Sequence, residues 1–305
     1  MRVGPGLPLV LLAALATSTV AAQNPALRDN RALRSSIEVT TVTATVRDKE
    51  GRLVTGLDAS AFDIREDGEP QQLTVFTRER VPISLGVVLD TSDSMFGRRL
   101  KDARAAVERF LFELLDPGDE YFALAFNHRP HWLTRWTSTP DVIRRALDRL
   151  QPTGGTAAYD AVVAALPMFV TRSRERGAIL VISDGADTAS TVTIRELRSA
   201  LLRSDVFVYA IALDSPDRQA INTRVNPTAL REITDDSGGR TEVVQSSADI
   251  AEATARIAEE LNSQYVLGYT SSHRADGQYH SIRVRVQGTE YKVRARSGYV
   301  ATPPR

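Results

Sequence analysis

The sequence predicts an α/β fold: a doubly wound, mostly parallel sheet with helices on both faces, plus a small accessory β module built from the N- and C-terminal segments. Three observations predict it. Residues 83–89 and 178–182 are apolar runs, as in strands buried on both faces. Strand and helix patterns alternate from about Pro82 to Leu261. Alternating β patterns bracket that stretch on either side.

In the leading β stretch, Ile37, Val39, Val42, Ala44 and Val46 nearly alternate, and the slip at Thr40 and Thr41 predicts a bulge. Phe62 and Ile64 lead into Glu66-Asp67-Gly68, a hairpin signal, with Leu73, Val75 and Phe76 expected to answer across it. In the central stretch, helices are expected over residues 99–115, 140–150, 157–170, 194–202, 228–233 and 248–261. Pro140 suits a first helical position, and Thr193 through Glu196 reads as a capping box. Strands are expected over 121–126, 206–213 and 241–244, with an edge strand over 131–136. In the closing stretch, residues 265–269 read as a strand. Ile282, Val284 and Val286 alternate with Arg283 and Arg285, and Gly288 turns the chain into 291–295. Each flanking segment is too small to bury a core alone, so the two are expected to pack together.

The domain boundaries that follow are a signal segment over 1–22, β module over 36–81, α/β domain over 82–262, β module again over 263–300 and a disordered tail over 301–305. Arg2, the apolar run over 7–16 and the small residues Val20, Ala21 and Ala22 read as an export signal with its cleavage site. The protein is therefore expected to be exported, to the periplasm or outside the cell. The mature chain is expected to lack a transmembrane segment, because Arg198, Arg203 and Asp205 interrupt the nearest apolar stretch. Lys plus Arg and Asp plus Glu both number 38, so no basic surplus points to nucleic acid. There is no cysteine, which excludes disulfides and thiolate metal sites.

The chemistry lies at the ends of the two apolar strands. Asp90-Thr91-Ser92-Asp93-Ser94 follows the first, and Asp184 follows the second. In an open parallel sheet, ligands bind beyond the carboxyl ends of strands. Gly154-Gly155-Thr156 forms a tight loop between them in sequence. Two carboxylates and three hydroxyls suit a hard dication such as Mg²⁺, with Mn²⁺ and Ca²⁺ left open. Such an ion can exchange a water for a partner's carboxylate.

These residues resemble the metal-ion-dependent adhesion site of von Willebrand factor type A (VWA) domains. The D-x-S-x-S motif stands as Asp90, Ser92 and Ser94, the distant threonine as Thr156, and the last element as Asp184. The resemblance implies a Rossmann-like sheet, metal ligation by these five residues and a protein partner offering Asp or Glu. It implies no catalytic residue and no organic cofactor. Gly56-Leu57 through Phe62, Glu66-Asp67-Gly68, residues 265–269 and Arg296-Ser297-Gly298-Tyr299 also resemble an acidobacterial group of VWA-related exported proteins.

Other readings stand beside this one. Thr156 could be only the cap of the following helix. Asp93, Asp160 and Asp187 read as solvated or supporting residues rather than ligands. His128 and His131 read as a surface turn. Phe96 reads equally as a partner contact or as core. Arg98 and Arg99 read as favouring acidic partners or as a solvated helix start. A Mg²⁺-dependent phosphatase of haloacid-dehalogenase type would want an Asp where Ser92 stands. A serine hydrolase lacks its G-x-S-x-G elbow. A structural module with an unused site is the remaining alternative.

Overall fold

In the computed structural model, residue 1 and residues 39–185, 187–214, 227–273, 276–288 and 290–301 are described, apart from the side chain of Ser247. The signal segment expected over 1–22 and the tail over 301–305 lie outside them, save Met1 and Ala301.

Four strands come first: β1 (Val39–Arg47), β2 (Phe62–Glu66), β3 (Glu69–Gln71) and β4 (Leu73–Thr77). Strands and helices then alternate as β5 (Ile83–Asp90), α1 (Arg98–Arg109), β6 (Glu120–Phe126), β7 (Pro130–Trp132), α2 (Pro140–Leu147), α3 (Ala158–Ala165) and β8 (Arg176–Ser183). They continue as α4 (Ile194–Leu202), β9 (Phe207–Leu213), α5 (Pro227–Thr234), β10 (Thr241–Val244) and α6 (Ser247–Asn262). Four strands close the chain: β11 (Tyr265–Thr270), β12 (Tyr279–Val286), β13 (Lys292–Ala295) and β14 (Gly298–Val300).

The central sheet has the order β10-β9-β8-β5-β6-β7, parallel except for the edge strand β7. Every residue of β5 and β8 is buried. Leu85, Val87 and Leu89 join one core with Val107 of α1, Ile143 of α2 and Ile257 of α6. Val88 points the other way, into a second core with Val162 of α3, Leu197 of α4 and Leu230 of α5. This is the expected doubly wound α/β architecture. Gly86 sits where the packing is tight, since a Cβ there would lie 2.3 Å from the Phe122 ring.

Three helices differ from expectation at their ends. The one expected through Leu150 stops at Leu147. The one expected through Leu115 closes as a single wider turn over Phe110–Leu114, with Leu115 N–H donating to Phe110 O (3.1 Å). The one expected through Val170 tightens after α3 into a 3-10 stretch over Leu166–Thr171, where Pro167 cannot donate a helical hydrogen bond.

The flanking strands form two antiparallel four-stranded sheets, ordered β13-β1-β11-β4 and β14-β12-β2-β3. Val42, Ala44, Phe62, Ile64, Leu267 and Ile282 fill their shared core. Two expectations fail here. The pairing of β1 with β11 runs unbroken from Val39↔Thr270 to Ala44↔Tyr265, so there is no bulge at Thr40 and Thr41. The irregular step lies between β11 and β4, where Thr74 is skipped. β1 misled because its inner half is buried on both faces, hiding a simple alternation. Nor do Leu73, Val75 and Phe76 answer β2; the short β3 does, and β4 crosses to the other sheet.

Glu260 of α6, fully buried, joins these sheets to the α/β region. It pairs with Arg47 of β1 (2.8 Å), Arg294 of β13 (3.2 Å) and Arg240 (3.3 Å), and accepts from Tyr209 OH (3.2 Å) and Thr45 Oγ1 (3.4 Å).

Candidate metal centre

β5 and β8 are neighbours in register Leu89↔Ile182, so Asp90 and the Ser183-Asp184 pair leave the sheet side by side. Both oxygens of Asp90 are held. Ser92 N–H donates to Oδ1 (2.8 Å) and Ser183 Oγ to Oδ2 (2.6 Å). Ser92 Oγ and Ser94 Oγ lie 2.9 Å apart. Asp184 Oδ2 accepts from Arg99 Nη1 (3.1 Å), which also donates to Ser94 O (3.0 Å). Asp90, Ser92, Thr156 and Asp184 are buried and Ser94 is half-buried.

Backbone hydrogen bonds bring the loop of Thr156 to this rim. Asp93 N–H donates to Gly154 O (2.9 Å) and Thr153 N–H to Thr91 O (2.8 Å). On the other side, Thr188 N–H (2.8 Å) and Ala189 N–H (2.9 Å) donate to Thr156 O. The three loops are thereby laced into one surface. Gly154, at φ +77, turns the loop in the left-handed region, where a side chain would also meet His128 Nδ1 at 3.0 Å.

Thr156 is not the helix cap it could have been. The N-cap of α3 is Ala157, and Asp187 Oδ1 accepts instead from Ala158 N–H (2.8 Å) and from Ser190 Oγ (2.7 Å). Asp160 accepts from Val192 N–H (2.8 Å) and Thr191 N–H (3.0 Å). Asp187 and Asp160 thus shape the loop after β8. Asp93 is exposed. His128 is exposed too, and His131 Nε2 is 2.9 Å from Asn127 Oδ1, as befits a surface turn.

Two residues of the rim escaped the sequence reading. Arg99 is buried against Asp184 rather than solvated. Its spacing from Ala103 and Val107, four residues each, places it on the inward face of α1 and was the available signal. Ser183, just inside Asp184, grips Asp90; only its place at the strand end hinted at this. Phe96, ambiguous in sequence, is 76% exposed beside the motif.

Burial pushes the Asp90 carboxyl up to about 7; the Ser183 hydrogen bond works against this, and the charge of nearby Asp184 adds to it. Asp184 Oδ1 is buried and makes no hydrogen bond. An orphaned buried carboxylate oxygen is costly. Two buried carboxylates, an orphaned oxygen and a set of hydroxyls with no sulfur or imidazole nitrogen among them fit a hard dication. Asp90, Ser92, Ser94, Thr156 and Asp184 are the side chains that would hold it.

Residues 85–186, which span this whole constellation, match the family model of the von Willebrand factor type A domain. Among solved structures, the chain is similar to an aerotolerance-related membrane protein from Bacteroides fragilis NCTC 9343 carrying multiple mutations to serines. That match has 21% identity and a TM-score of 0.51, over 59% of this chain and 98% of that one. A von Willebrand factor type A structure from Catenulispora acidiphila matches at 13% identity and TM-score 0.51, over 80% of this chain and 75% of that one. A mutant of the PilB minor pilin from Streptococcus sanguinis matches at 11% identity and TM-score 0.50, over 61% and 63%. At these identities the likeness is one of fold. No curated protein matches the chain.

Proposed function

We propose, for a chain that carries a von Willebrand factor type A domain, that its metal-ion-dependent site grips an acidic side chain of a protein partner. Asp90, Ser92, Ser94, Thr156 and Asp184 hold a dication, Mg²⁺ by preference, with Mn²⁺ or Ca²⁺ as substitutes. The observation that carries this reading is Asp184 Oδ1, buried without a partner beside an Asp90 that burial drives toward neutrality. A dication would supply the missing charge, and the neutral hydroxyls would leave it positive enough to attract an Asp or Glu. Exposed Phe96 gives the partner an apolar contact next to that ion.

The reading is of a binding module rather than an enzyme. Phosphatase chemistry of the haloacid-dehalogenase kind wants an acid–base carboxylate where Ser92 stands. A role outside the cytoplasm, in the periplasm or secreted, fits the export-like sequence of residues 1–22. Among the described residues no helix is long and apolar enough to cross a membrane.

The test is calorimetric titration of the chelator-stripped chain with Mg²⁺, followed by capture of partners from the cell envelope and medium with and without chelator. The expected result is Mg²⁺ binding and chelator-sensitive capture, both lost in Asp90→Asn while its fold is kept. Capture indifferent to chelator, or Asp90-dependent release of phosphate from a generic phosphomonoester, would overturn the reading.

A further inference from the structure

In the antiparallel sheets, Asp67, His273 and His280 each present one ligand atom, all within 4.8 Å of one another. Asp67 follows β2 at the tip of the β2–β3 hairpin, in the left-handed region at φ 50. Its Oδ1 is occupied by Ser281 N–H (2.7 Å) and Ser281 Oγ (3.1 Å). That leaves Oδ2 turned toward the two imidazoles, 2.8 Å from His280 Nδ1 and 3.5 Å from His273 Nε2. The two rings stack, with centroids 4.1 Å apart and planes at 25°.

We propose that Asp67 Oδ2, His273 Nε2 and His280 Nδ1 bind a dication of the zinc class, a second metal centre independent of the one at the β5 loop. Neighbouring ligand atoms around a tetrahedral zinc stand about 3.3 Å apart, from its usual bond lengths. Two of the separations here, 2.8 and 3.5 Å, already lie near that spacing, the third is within 4.8 Å, and the exposed His273 ring would turn out of its stack on His280 to aim its lone pair at the ion. Imidazole nitrogens with one carboxylate select zinc, nickel or copper over Mg²⁺ or Ca²⁺. Three protein ligands leave the fourth position to water, as in open zinc sites.

The surroundings are those of an oriented site. His280 Nε2 lies 3.2 Å from Asp276 Oδ1, the arrangement in which a carboxylate fixes the tautomer of a metal-binding histidine. The support beneath is rigid. Buried Glu66, the residue before Asp67, accepts from Tyr269 OH (2.9 Å), Tyr299 OH (2.7 Å) and Ser271 Oγ (2.7 Å). Ser271 Oγ in turn accepts from His273 N–H (3.0 Å). Asp67 and His273 are exposed, so an ion can reach the cluster from solvent.

The test uses the full chain, stripped of metal and carrying Asp90→Asn to silence the first site, titrated with Zn²⁺ by calorimetry. One equivalent of zinc is expected to bind and raise the melting temperature, and an excess of Mg²⁺ should not displace it. Co²⁺ in its place should give the visible absorption of a four-coordinate ion. His273→Ala, at the more exposed ring, should keep the metal-free fold and lose the zinc. Asp276→Asn should bind it about 10–100-fold more weakly. No zinc bound in the Asp90→Asn chain, or unchanged zinc affinity in His273→Ala, would overturn the proposal. In that case the cluster is an ion-pair network and nothing more.

Discussion

Two buried groups of carboxylates in this molecule are neutralised in opposite ways. At the joint between the α/β region and the antiparallel sheets, Glu260 is surrounded by Arg47, Arg240 and Arg294 and accepts from two hydroxyls. At the β5 rim, Asp184 pairs with Arg99 through one oxygen while its other stays unsatisfied, and Asp90 accepts from Ser92 N–H and Ser183 Oγ. The protein thus completes a buried ionic cluster where it needs structure. Where it does not, we read the remaining deficit as a place for a ligand. The joint should respond to mutation in stability, and the rim chiefly in binding.

The largest effect is expected at the joint. Glu260→Ala leaves the guanidiniums of Arg47, Arg240 and Arg294 without this carboxylate. It should cost about 3–5 kcal/mol in denaturant unfolding, as one-sided removal from a buried ion pair does. A loss under about 1 kcal/mol would break the contrast.

The rim should show its deficit in pH. Asp90 has its folded-state pKa raised from 3.8 to about 7. The metal-free fold therefore holds a proton that the unfolded chain releases. Its Asp90-linked stability is complete below pH 3.8 and is lost as pH rises through about 7. Asp90→Asn should flatten that slope in thermal melts with chelator. Mg²⁺ affinity should rise over the same range, because binding displaces the proton. A slope unchanged by Asp90→Asn would remove the basis for the contrast.

A smaller effect is expected for Ser183→Ala, which deletes the 2.6 Å hydrogen bond to Asp90. Stability should fall by about 1 kcal/mol, with a drop in Mg²⁺ affinity read by calorimetry. The smallest stability effect belongs to Phe96→Ala, within about 0.5 kcal/mol. It should still weaken capture of the partner. Equal effects on capture and melting would return Phe96 to a packing role.

What could be read in the sequence was local. The runs before Asp90 and Asp184 and the Gly154-Gly155-Thr156 loop carry their meaning within a few residues, and the central sheet followed from them. Arg99 was hidden because its charge outweighed its helical phase. The swap of β4 into the other sheet depends on pairing with β11, which no local pattern contains. The cluster of Asp67, His273 and His280 is scattered still further: Asp67 read only as part of a hairpin turn, and no local pattern singled out the two histidines. The Thr40 and Thr41 bulge failed for a related reason. A second buried face, on which Thr43 and Thr45 lie and Thr45 meets Glu260, changed what the alternation meant.

The interleaving of the two chain ends bears on how the molecule is made. β1 lies between β11 and β13, with Val42 opposite Leu267 and Val46 opposite Val293. A chain threaded from its N-terminus releases β1 well before both of its neighbours. The α/β part can complete its own hydrogen bonding in the interval, while the opening strand waits. Closure of that sheet must then wait for the segments of β11 and β13, a pairing of high sequence separation.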